Sequence, residues 1–148
     1  MSDVGILNKK TFHAIRLLVA MALLGLVTGC SDSATLEKDR EALMDLHDTE
    51  MARMGEIFTL KEKLTFLADS LTSDEDKAIL GERIDRLQEA NEAMMQWMRD
   101  YREPSADMPA EEQKAYFSEE MEKMKIVERL IAGSIDSARV VLNNYQSR

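Results

Sequence analysis

Two short stretches gather the side chains of this protein that suit a soft ligand. From His47 to Met54 the chain reads "HDTEMARM", and from Met94 to Met98 it reads "MMQWM". Together they hold the one tryptophan, five of the eleven methionines and the only histidine besides His13. Imidazole and thioether are neutral, polarizable donors, the set that Cu(I) prefers and that needs no carboxylate. The candidate ligands are His47, Met51, Met94 and Met98, with Met54 and Trp97 behind them. The tryptophan face would add a cation–π contact. The opposing reading treats the same residues as core. Methionine fills irregular gaps in helical interiors, and a lone histidine on an apolar stripe is satisfied by a neighbour such as Asn91.

Other chemistries find fewer of their parts. One histidine and one methionine make an axial haem pair, yet no C-x-x-C-H sequence occurs and thin helices leave little room. A haem-binding bundle is the outlying alternative. Zinc wants several nitrogen and sulfur ligands, which one histidine and one cysteine do not supply. A nucleophilic triad would need His47 at the mouth of a cleft, whereas it stands mid-helix among methionines. The Glu-x-x-His pair of di-iron bundles is missing, because Met44 occupies the glutamate position. The carboxylates of "DEDK" and "EEQK" read as solvated helix surface. The expectation is a protein without enzymatic activity. A third class is a structural or client-binding module: "MARMGEIFTL" and "MEKMKIVERLIAGSI" are methionine-bearing faces of the adaptable kind.

The elements that position these residues read as helices. Beyond residue 30, glycine occurs only at 55, 81 and 133 and proline only at 104 and 109. Apolar residues recur at helical steps. The first stripe is Leu36, Leu43, His47, Met51, Met54, Phe58, Leu64, Leu67 and Leu71, with a lapse at Lys61. The second is Leu80, Ile84, Leu87, Asn91, Met94, Met98 and Tyr101. The third is Phe117, Met121, Met124, Ile131, Ile135, Ala138, Leu142 and Tyr145, with Gly133 marking a bend or a close helix contact. Thr72 with Glu75, or Ser73 with Asp76, caps the second helix, and Pro109 opens the third. Helices over about 36–71, 74–102 and 109–145 and short loops predict an all-α, antiparallel up-down-up three-helix bundle. Stripes this narrow make a thin core, and dimerisation into a thicker bundle is a second way to cover them.

Folding the first hairpin about residues 72–73 places His47 level with Met98, Met51 with Met94 and Met54 with Asn91. The second hairpin, folded about its linker, places Tyr116 beside Met94 and Met121 beside Ala90. One layer then collects the histidine and the sulfurs, with Trp97 at its edge.

The N-terminus carries Lys9, Lys10 and Arg16 ahead of the uncharged run "LLVAMALLGLV". That is a signal-peptide pattern, too short to span a bilayer. It ends in "VTGC", which resembles the bacterial lipobox and implies cleavage before Cys30 and lipidation of that residue. The expected organisation is a lipoprotein signal peptide at 1–29, an acylated cysteine and short tether at 30–35, and a bundle at 36–148. Ser31, rather than aspartate, follows the cysteine, which favours the outer membrane of the bacterial cell envelope; either face of it fits. Cys30 is the only cysteine, so no intramolecular disulfide is expected. The net charge of −9 becomes more negative once the leader is gone, which disfavours nucleic acid and anionic headgroups as partners.

The stretches "LMDLHDTEMARMGEIFTLKEKL" and "LQEANEAMMQWMRDY", with the acidic third helix, resemble a group of small bacterial lipoproteins commonly labelled "viral A-type inclusion protein". That resemblance implies lipoprotein processing and an all-helical fold, and it supplies no catalytic or ligand residues. The set of one histidine, two methionines and a tryptophan also resembles, in composition alone, that of periplasmic copper-handling proteins, which are β-barrels.

Overall fold

The computed structural model describes residues 29–147, which form α1 (Gly29–Ser70), α2 (Asp74–Asp100) and α3 (Ala110–Gln146), with no strand among the described residues. The expected signal peptide lies almost wholly outside them. Each helix packs against both others, and the fold is a helical bundle. Among the described residues no helix is long and apolar enough to cross a membrane.

Apolar rows seven residues apart build the interior. Leu43, Ile57 and Leu64 repeat along α1, Leu80, Leu87 and Met94 along α2, and Phe117, Met124, Ile131 and Ala138 along α3, all buried. A seven-residue repeat keeps one seam of a helix facing its neighbours. Two buried acids share this interior. Glu50 stands between Leu43 and Ile57 and pairs with Arg53 at 3.1 Å; Glu120 pairs with Lys123 at 2.8 Å.

Glu50 explains the one misplaced face. The first stripe was expected to step from Met54 to Phe58, but Phe58 is 56% exposed while Ile57 and Leu60 are buried. A glutamate at an inward position disguises the true row, so three- and four-residue steps taken through the methionines drift outward. The lapse at Lys61 has a simple cause: its ammonium donates to the Gln88 side chain on α2.

The helix ends follow local chemistry. Ser73 caps α2, its hydroxyl accepting from the Asp76 amide at 3.2 Å, with Asp74, Glu75 and Asp76 on the positive end of the dipole. Pro109 precedes α3, with Glu111 and Glu112 in its first turn. At the other end of the chain, residues 30–35 belong to α1 rather than to a tether. No breaker interrupts that segment, and Leu36 packs against the core. Gly133 does not mark a close contact: it lies within α3, is exposed, and a Cβ there would meet nothing within 4 Å.

Contacts between α1 and α2 run in opposite numerical order. Arg40 meets Glu103 just beyond α2, His47 meets Trp97, and Lys61 meets Gln88. Between α2 and α3 the pairing departs from expectation. Tyr116 lies against Tyr101, with ring centroids 6.1 Å apart, about two turns beyond Met94. The chain leaves α2 at Tyr101 in extended conformation, and the turn closed by the Met108 amide on Ser105 comes later. The Arg102 amide donates to the Tyr116 hydroxyl at 3.0 Å, pinning this extended piece along α3. Met121 lines a groove with Ala42 of α1.

The face assignment on α1 is testable. Ile57→Ala is expected to cost about 2–5 kcal/mol, as buried aliphatic truncations do. Phe58→Ala is expected to change stability by less than about 0.5 kcal/mol. Denaturant unfolding followed by circular dichroism separates the two; equal losses would contradict the burial pattern.

Candidate functional site

His47 sits on the side of α1 that meets α2. Its ring centroid is 5.4 Å from that of Trp97, with the planes inclined by 35°. The ring Nδ1 is 2.9 Å from Oδ1 of Asp48, the next residue on the same helix. A carboxylate only accepts hydrogen bonds, so Nδ1 carries the proton and donates. In the neutral ring Nε2 is then a bare lone pair. That nitrogen is buried and has no hydrogen-bond partner. An acceptor left this way costs about 1–3 kcal/mol. It is also the arrangement by which an outer carboxylate orients a metal-binding imidazole.

The pairing with Asn91 expected of a plain core histidine is not formed. The Oδ1 of Asn91 is itself buried without a partner. Trp97 is inserted rather than peripheral, at 7% exposure. It shares an inward row with Ala90, seven residues before it and buried. Its indole N–H finds no acceptor.

The sulfur-bearing residues occupy two environments. Met94 is wholly buried and Met54 nearly so, whereas Met51 and Met98 are half-buried against the core. Met51 follows His47 by one turn, and Met94 and Met98 flank Trp97 on α2. Of the carboxylates near His47 in sequence, Asp48 is engaged by the ring's own Nδ1 and Glu50 by Arg53. Cys30 lies in the first turn of α1. The structure thus joins His47 directly to Trp97 and sets Met51, Met94 and Met98 within a turn of one or the other. Met54 stands two turns from His47 in the hydrophobic interior.

No family model, curated protein or solved structure matches this chain.

The ring contact continues beyond what was expected from the sequence. Trp97 stacks on Tyr101 at 5.0 Å and 28°, Tyr101 lies 6.1 Å from Tyr116, and Tyr116 meets the edge of Phe117 at 5.9 Å. The four-residue step from Trp97 to Tyr101 is a helix-surface neighbour pair and was the available signal. The step to Tyr116 depends on the extended linker and had none. The Tyr101 hydroxyl donates to Oε2 of Glu103 at 2.8 Å, and the other oxygen of that carboxylate accepts from Arg40 Nε at 2.8 Å. Burial, reinforced by the Glu103 carboxylate, pushes the Tyr101 phenol well above its ordinary ionisation range. The outer edge of Trp97 borders a groove of about 330 Å³ between α2 and α3, lined also by Ala93, Glu120, Ile126 and Val127.

The shifted phenol gives a pH dependence with a definite sign. Below the ordinary phenol value of 10.0 both folded and unfolded chains keep the Tyr101 proton, and the contribution of this group to stability is intact. Above it the unfolded chain ionises first, and the contribution is lost as pH rises toward the folded value. Unfolding free energies measured across this range should fall more steeply for the native chain than for Tyr101→Phe. Parallel profiles would contradict the assignment.

Proposed function

We propose that this chain is a lipid-anchored protein of the bacterial cell envelope, an up-down-up helical bundle without enzymatic activity that binds a soft metal, Cu(I), beside Trp97. The anchor is Cys30, following the lipobox-like sequence, and the outer membrane is its site. The opposite numerical order of contacts between α1 and α2 supports the antiparallel arrangement of the first hairpin. The likeness to the "viral A-type inclusion protein" lipoproteins agrees with the anchor and with the all-helical fold.

The observation that carries the metal reading is the buried, unpartnered Nε2 of His47, whose Nδ1 lies 2.9 Å from Asp48. Such a nitrogen is a ligand in waiting. Met51, Met94 and Met98 would supply thioethers, with Met54 supporting the layer from the interior. The donor set is neutral and soft, as Cu(I) requires, and holds no free carboxylate to draw a harder ion. The ring of Trp97 would lie against the bound cation.

A second reading rests on a different observation. Phe58 and Ile126, within the two methionine-bearing segments, are 56% and 51% exposed. Exposed apolar residues on those faces favour a client-binding module, in which the histidine and the sulfurs only close the core. It predicts suppression of a client's aggregation that Phe58→Ser with Ile126→Ser removes, read by light scattering.

Competition titration with a Cu(I) chelator tests the first reading. The full-length chain in detergent should withdraw Cu(I) with one-to-one stoichiometry. The double variant His47→Ala, Met98→Leu should lose at least tenfold in affinity, equivalent to about 1.4 kcal/mol. Unchanged affinity in a variant that keeps its helical signal and melting temperature would refute the site.

A further inference from the structure

The row of rings suggests an activity that does not depend on metal binding. We infer that Trp97, Tyr101 and Tyr116 form a one-electron relay that carries an oxidising equivalent from the buried indole to the phenols beyond the end of α2, making the protein a scavenger of radical oxidants.

Three features of the contact favour transfer in that direction. First, the rings are close: Trp97 and Tyr101 are stacked at 5.0 Å, and Tyr101 and Tyr116 follow at 6.1 Å. Contact between π-systems gives direct electronic overlap without any intervening chain. Second, the indole N–H is buried and unpartnered. An indole that loses an electron becomes acidic, and without a base at its nitrogen the cation keeps its proton and remains a strong oxidant. Third, Tyr101 is furnished with the base that Trp97 lacks. A phenol gives up an electron readily only when its proton leaves too, and the Tyr101 hydroxyl already donates to Glu103 at 2.8 Å. Arg40 holds that carboxylate from its other oxygen.

The steps balance. A one-electron oxidant of the radical class takes an electron from Trp97 at its groove edge and leaves as its anion. The indole cation then takes an electron from Tyr101 while the phenolic proton passes to Glu103. Neutral indole, a Tyr101 phenoxyl radical and a protonated Glu103 result. Exchange of an electron and a proton with Tyr116 spreads the radical to α3. A hydrogen-atom donor of the thiol or quinol class restores the phenol, and Glu103 returns its proton to water.

Pulse radiolysis of the full-length chain in detergent tests this, with azide radical as the oxidant. Trp97 is the one tryptophan, so its radical is unambiguous, and three tyrosines are present. The absorption of the indole radical cation should decay as the phenoxyl absorption grows, at a rate independent of protein concentration. Tyr101→Phe keeps the ring and its packing and should slow that growth at least several-fold, whereas Tyr145→Phe should leave it unchanged. Glu103→Gln keeps both rings and removes the proton acceptor, and it too should slow the growth. The relay is overturned if the rate scales with protein concentration, or if Tyr101→Phe and Glu103→Gln transfer as fast as the native chain. Should Tyr101→Phe fail to fold, the Glu103→Gln rate decides the matter.

Discussion

The three helices share a single apolar interior to which each contributes, and that constraint governs the rest. Three helices facing one another across single rows of leucine, isoleucine and methionine leave nowhere to bury a polar atom away from its neighbours. The two buried acids bring their partners along their own helices, Glu50 with Arg53 and Glu120 with Lys123. Same-helix pairs of this kind keep the charge compensated as it leaves water, and removing one partner would strand the other.

His47 follows that pattern with half of its ring. Asp48 satisfies Nδ1, while Nε2 is buried with nothing to bond, in a ring that lies against that of Trp97. Trp97 is likewise satisfied only in part, its indole N–H buried without an acceptor. Two incompletely satisfied rings in contact are an expense that a helical core of leucine would avoid, and the proposed soft-metal binding would give the imidazole nitrogen a use. The same insertion of Trp97 that buries its N–H brings its face onto Tyr101. The candidate ligand site and the row of rings are therefore two consequences of one placement.

Much of this arrangement was legible in the chain itself, and the parts that were not have identifiable causes. Helix content and number follow from scarce glycine and proline, and the Ser73 cap follows from its position ahead of three acids. The level of His47 on α2 follows from a hairpin with a tight turn, whose pairing is fixed by its midpoint. The second hairpin breaks that assumption because residues from Tyr101 onward run extended before reversing, which moves Tyr116 from Met94 to Tyr101. Phe58 was assigned inward because the inward neighbour that defines the true row is a glutamate. Trp97 was placed at the edge because stripe counting favours the commoner apolar residues on either side of it. Residues 30–35 read as a tether from their place after the leader, although nothing in their composition opposes helix.

The state of the His47 ring is the point on which the account turns, and nitrogen NMR of the imidazole reads it directly. With histidine labelled in both ring nitrogens and His13 replaced by glutamine, the metal-free full-length chain in detergent should show one tautomer at a pH where the ring is neutral. The proton should reside on Nδ1, Nε2 should be unprotonated, and addition of Cu(I) should shift the Nε2 resonance. A proton on Nε2, or fast averaging between the two nitrogens, would mean that Asp48 does not hold the ring and that Nε2 is not bare.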